Sequence, residues 1–161
     1  MLVKSLVLVL AGLCTVPAAL AAEAPASIAH KAILSLATAQ QIAAHARKVA
    51  ADKGWPCAVA IVDDGGWPIL TLRMDGAPVV AGIELAQGKA RTSALFKRPS
   101  GDLENAINNG RPAAITAGLL MMKGAQPIIL EGQVVGAIGI SADTPAHDDE
   151  IALAAVASVQ P

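Results

Sequence analysis

The chain has 161 residues, a formal net charge of −1 at pH 7 and an apolar fraction of 54%, which is one domain's length with enough apolar side chain for a core. A charge so close to zero leaves no electrostatic footprint for nucleic acid. With no tyrosine and only Trp55, Trp67 and Phe96 as aromatics, there is no platform for stacked bases either.

Part of the apolar content belongs to the first residues. A short basic start ending at Lys4, an uninterrupted apolar run over residues 5–13 and the small-residue pattern Ala19-Leu20-Ala21 read as a secretory signal peptide over residues 1–21, with cleavage near Ala21 or Ala22. The run is short for a bilayer span. The expected location is therefore periplasmic or secreted, with no membrane attachment once the leader is removed. Cys14 falls inside the leader behind the bulky Leu13, which departs from the small residue a lipidation site has there. Cleavage leaves Cys57 as the only thiol, so no internal disulfide forms and a buried apolar role is expected.

Residues 22–34 read as a flexible mature N-terminus. Ser35 caps a helix over residues 36–53, because Leu36, Ala39, Ile42, Ala43, Ala46, Val49 and Ala50 share one face and Gly54 stops it. His45 is on the opposite side with Gln41, Lys48 and Asp52. The short β-branched run at residues 58–62 predicts a buried strand, Asp63-Asp64-Gly65-Gly66 a tight turn, and the next run a second strand with Leu70, Leu72 and Met74 on its core face and Arg73 on the other. Gly76-Ala77-Pro78 leads into a helix over residues 80–97. Its small stripe, Ile83, Ala86, Ala90 and Ala94, suits close packing on a sheet. A second stripe of Leu85, Lys89, Thr92 and Phe96 reads as a ligand-facing side.

Pro99 ends that helix, and Ser100 is expected to cap a short one over residues 102–108. Residues 111–120 read as a short helix or loop, residues 119–122 as a brief strand, and Met121 and Met122 as core filler. A second hairpin follows, residues 127–130 with 133–141, in which Gly136 and Gly139 allow close approach of another backbone. A helix start at residues 144–148 precedes a final apolar helix to residue 159, and Asp148, Asp149 and Glu150 suit the dipole at its N-terminus. The acids beside His147 are explained by that electrostatics without a metal.

Four ordered blocks, residues 62–66 (VDDGG), 73–78 (RMDGAP), 88–92 (GKART) and 96–99 (FKRP), together with the closing block at residues 126–141, resemble the GlcG/HbpS haem-binding family, a domain also found at the C-terminus of PduO-type cobalamin adenosyltransferases. Pattern alone gives an α+β domain over residues 35–161. The resemblance implies a profilin-like, five-stranded antiparallel sheet flanked by helices, a homo-oligomer, and haem as cofactor. On the matching positions it implies cofactor contacts from Arg73, Met74, Asp75, Lys89, Thr92, Phe96, Arg98 and Ser100, the cations suiting haem propionates. His45 is the candidate metal donor, with Thr92, Met74 or a residue of a second copy left open as axial ligands.

No nucleophile, base and acid form a recognisable local motif, and phosphate-loop, dinucleotide, paired-cysteine zinc and c-type haem patterns are missing. The expected function is an exported haem-binding protein for storage, scavenging or sensing, without autonomous catalysis. The alternative is an accessory protein binding a corrinoid or a small hydroxy or oxo acid, for which Arg73 and Lys89 or Arg98 would have to converge.

Overall fold

The computed structural model describes Ile28 and residues 30–159; the expected leader, its cleavage site and Cys14 lie outside the described residues. The helices and strands of the described residues belong to the unit that begins at Lys31. The first helix, α1 (Leu36–Lys53), starts where the Ser35 hydroxyl accepts a hydrogen bond from the Thr38 amide at 3.1 Å and ends at Gly54, whose φ of 70° is left-handed. Its buried face, Ala39, Ile42, Ala43, Ala46 and Ala50, follows the helical repeat in the sequence.

Strands β1 (Ala58–Asp63) and β2 (Pro68–Arg73) form the first hairpin. Its turn is tied by the Asp63 carboxylate, which accepts from the amides of Gly65 and Trp67 at 2.9 and 2.8 Å. Helices α2 (Gly82–Phe96) and α3 (Ser100–Asn108) and a short 3-10 helix (Pro112–Ala117) precede β3 (Ala125–Leu130), β4 (Gln133–Ser141) and α4 (Pro145–Ala157). The sheet order is β2-β1-β4-β3, with every neighbouring pair antiparallel.

Alternation along the central strands sorts the side chains between two helical layers. Val59 pairs with Ile140 and Ile61 with Ile138; these four face α1 and α4 and join Ile42, Ile151 and Ala152 in the main core. Each such fully buried aliphatic side chain contributes about 1.5–3 kcal/mol. The reverse face carries Ala58, Ala60, Val62 and Ala137, and α2 packs there through Ala86, Ala90 and Ala94. Ala60 pairs with Gly139, and a Cβ on Gly139 would sit 2.1 Å from the Ala86 carbonyl oxygen and 2.8 Å from the Ala90 amide. The backbone of α2 therefore rests directly on this glycine.

The antiparallel α+β architecture is as expected, but the described sheet has four strands rather than five. The brief strand expected at residues 119–122 is irregular, because the Leu120 carbonyl is taken by the Thr92 hydroxyl at 2.9 Å instead of a strand partner. Nor does Ser100 cap α3. It is the first helical residue, and its hydroxyl accepts from the Ala125 amide at 3.0 Å, tying α3 to the start of β3. At the end of the stretch 22–34, Leu34 is buried in the core and Lys31 pairs with Asp64 at 2.7 Å. No helix among the described residues is long and apolar enough to cross a membrane.

Gly139→Ala is expected to destabilise the fold by about 1–3 kcal/mol or more, since the colliding atoms are backbone and cannot swing away. Urea unfolding followed by far-UV circular dichroism reads this as a lower midpoint at unchanged slope.

Candidate functional site

The RMDGAP block forms a tight turn at the end of β2. The Met74 amide donates to the Cys57 carbonyl at 2.9 Å, the Ala77 amide donates back to the Met74 carbonyl at 3.2 Å, and Gly76 takes the left-handed conformation at φ 79°. Beside this turn opens a cleft of about 470 Å³ lined by Leu72, Arg73, Met74, Asp75 and Arg47 of α1. The Arg73 guanidinium donates to the Ala77 carbonyl at 3.4 Å. Among the described residues neither arginine has an acidic partner within ion-pair distance.

Under the turn, the Cys57 thiol donates to the Met74 thioether at 3.9 Å. Burial, with a smaller push from the charge of Asp148, raises that thiol to about 12, so it carries almost no thiolate at neutral pH.

Lys89 lies in the interior. Its side chain is 2% exposed, pairs with Asp148 at 2.6 Å and donates to the Ile140 carbonyl at 3.2 Å. Asp148 also accepts from the Ala142 amide. Burial pushes the Asp148 carboxyl up, opposed by its hydrogen bonds from Lys89 and Ala142. In the stripe expected to face a ligand, the Lys89 ammonium is thus directed at α4, which supplies it with a counter-ion.

Thr92 is also buried. Its hydroxyl lies 3.0 Å from the Gly88 carbonyl and 2.9 Å from that of Leu120, so it fastens the 119–122 segment to α2. Ser100 is occupied by Ala125, as described above. Arg98 is exposed just beyond α2. Gly82 at the start of that helix lies over Ala58, the partner of Arg73, and the helix's length of about 21 Å separates the two arginines. Arg73, Lys89 and Arg98 thus do not gather around one crevice within the chain. Phe96 is exposed at the end of α2 and lines a small cavity of about 130 Å³ with Leu103 and Met121. His45 is exposed on the outer side of α1.

At the start of α4 the acids expected to serve the helix dipole have individual partners. Asp149 accepts from the Gln126 side-chain Nε2 at 2.8 Å, and Glu150 pairs with Lys53 at 2.6 Å. His147 stacks on Trp55 with centroids 3.6 Å apart and 9° between planes, and its Nδ1 lies 2.7 Å from Asp143. That hydrogen bond holds the Asp143 carboxyl below its ordinary value. No group of three His, Cys, Asp or Glu side chains among the described residues is placed to hold a metal.

Residues 34–157 match the family described as "Haem degrading protein HbpS-like". The chain belongs to that family. Protein GlcG of Escherichia coli K12 is 42% identical over 113 residues, covering 69% of this chain and 83% of GlcG. A double mutant of Streptomyces reticuli HbpS superposes with a TM-score of 0.77 at 28% identity, over 90% of this chain and all of that one. A solved PduOC–haem complex gives a TM-score of 0.72 at 26% identity, over 80% of this chain and 96% of that one. The family membership inferred from the ordered sequence blocks is thus shown.

Arg47 is the cleft residue that sequence reasoning missed. It reads as one more cation on the outer part of an amphipathic helix, and only the packing of α1 beside β2 brings it to Arg73. The burial of Lys89 was likewise invisible, because its partner lies 59 residues away.

Two measurements check these assignments. Lys89→Met is expected to cost about 3–5 kcal/mol, because it strands the Asp148 carboxylate, whereas Lys89→Met with Asp148→Leu regains most of the loss; urea unfolding of the singles and the double gives the coupling. In a Cys14→Ser background, Cys57 is expected to stay unreacted with an aromatic disulfide reagent under native conditions and to react fully on denaturation.

Proposed function

We propose that this chain is an exported haem-binding protein whose propionate contacts come from the Arg47–Arg73 cleft. The observation that carries the reading is the cleft itself: two arginines that form no ion pair among the described residues, beside the apolar Leu72 and Met74 side chains, with Asp75 the one acid in the lining. Propionates would neutralise the arginines through charge-assisted hydrogen bonds, and the macrocycle edge would cover Leu72 and the Met74 methyl group. The volume lies within the range of small-molecule sites, and its openness to solvent suits a flat ligand completed by a second copy of the chain.

The haem-bound PduOC structure and the family's description support haem over other ligands. The leader-like first residues support export. Bound haem supplies iron redox chemistry; the residues here bind the carboxylates and orient the ring. The donor set fits that role, with Met74 at the cleft and His45 on exposed α1 as candidate iron ligands; Thr92 is buried, its hydroxyl directed at the Gly88 and Leu120 carbonyls. The small-acid alternative needs Arg73 to converge with Lys89 or Arg98, and within the chain Lys89 is instead paired with Asp148.

Titration with hemin, followed at the Soret band, is expected to saturate at micromolar protein. Arg47→Gln and Arg73→Gln should each weaken binding about 10-fold or more, the loss of one charge-assisted hydrogen bond. Thr92→Ala leaves the band position unchanged, and a shifted band in His45→Ala or Met74→Leu identifies the iron ligand. Absence of saturable binding, or full affinity in the double arginine variant, contradicts the assignment.

A further inference from the structure

A second cleft, of about 330 Å³, runs between the start of β2 and the exposed side of α2. Val62 and Pro68 give it apolar walls, Trp67 forms its rim at 66% exposure, and Arg91 and Glu84 are its charged members. Trp67 is an unusual residue to leave in water, since indole burial is among the largest apolar gains available. Its immediate neighbour is a cation: the Arg91 guanidinium lies 5.4 Å from the indole centroid and donates to the Gly66 carbonyl at 3.4 Å.

The sequence keeps room for that arrangement. A Cβ on Gly66, at φ 80°, would lie 2.8 Å from Arg91 Cγ and 3.2 Å from its guanidinium, so the turn that joins β1 to β2 also admits the arginine stem. Arg91 has no carboxylate within ion-pair distance among the described residues. Glu84 is exposed and two helical turns away, about 10 Å along the axis, too far to neutralise it. An apolar slot, an exposed indole and a half-buried guanidinium that forms no ion pair among the described residues converge at one end of the cleft.

We infer that the Trp67–Arg91 cleft is a second ligand site, separate from the Arg47–Arg73 cleft, that takes a small aromatic carboxylate. The ring packs on Trp67 and Pro68, and the carboxylate receives hydrogen bonds from Arg91, strengthened by its partial removal from water. The volume is near the lower end for ligand sites and suits one or two rings. Charge complementarity selects the anion: a neutral analogue keeps the stacking but gains nothing from Arg91.

The test is fluorine NMR on the full chain with para-fluorobenzoate and, as neutral counterpart, para-fluorobenzyl alcohol. Saturable binding of the acid at millimolar concentration is expected, at least about 10-fold tighter than the alcohol. Arg91→Gln should remove the difference between the two probes, Trp67→Ala should abolish binding of both, and Trp67→Phe should retain it. Hemin titration of the same variants should match the wild-type protein, which shows that they are folded and separates this site from the haem reading. Equal affinity for acid and alcohol in the wild type, unchanged preference in Arg91→Gln, or no saturable binding of the acid overturns the inference.

Discussion

The buried ion pair between Lys89 and Asp148 is the constraint on which the rest of the architecture depends. It joins α2, which covers one face of the sheet, to α4, which covers the other, around the end of β4. Neither charge has access to water, so each requires the other. The remaining hydrogen-bonding capacity is spent on the chain itself, Lys89 on the Ile140 carbonyl and Asp148 on the Ala142 amide. Gly124 is fixed by the same junction: at φ 117° it donates no side chain to a space where a Cβ would stand 2.5 Å from that of Asp148, and its carbonyl accepts from the Ile140 amide. A helix, two strand ends and a second helix are therefore held to one arrangement.

From this junction the positions of the clefts follow. With α2 laid on Gly139 and pinned by Lys89, the start of the helix lies over Ala58 and its last turns pack, through Ala90 and Ala94, with Val62 and Ala137 toward the other end of the strands. The RMDGAP turn closes one end of the edge strand β2, beside α1, and the GGW turn closes the other, beside α2. The two clefts are thus built on the two ends of one edge strand, each with its own arginine recruited from a different helix, Arg47 from α1 and Arg91 from α2. Edge position matters here, because a central strand is covered on both sides and leaves no room for a ligand.

Most of the secondary structure was legible in the sequence, because it rests on local rules. The α1 cap at Ser35, its stop at Gly54, the turn at Asp63–Gly66 and the small stripe of α2 each follow from spacing and side-chain size, and the ordered blocks carried the family. The misplaced elements share a cause: polar side chains that serve distant backbone. Thr92 takes the Leu120 carbonyl in the irregular segment before β3, Ser100 takes the Ala125 amide rather than capping its own helix, and Lys89 takes the Asp148 carboxylate. A lysine, a threonine and a serine at helical spacing look the same whether they face a ligand or the interior. Only tertiary packing distinguishes the two, which is why the basic cluster expected around one crevice resolves into one structural cation and two surface ones.

The central claim is that the cation at position 89 holds the fold while Arg47 and Arg73 hold the ligand. A crystal structure of the protein with hemin tests it most directly. The account predicts propionate oxygens within hydrogen-bond distance of Arg47 and Arg73 and an intact Lys89–Asp148 pair. A porphyrin whose propionates contact Lys89 or Arg98, or neither cleft arginine, would contradict it.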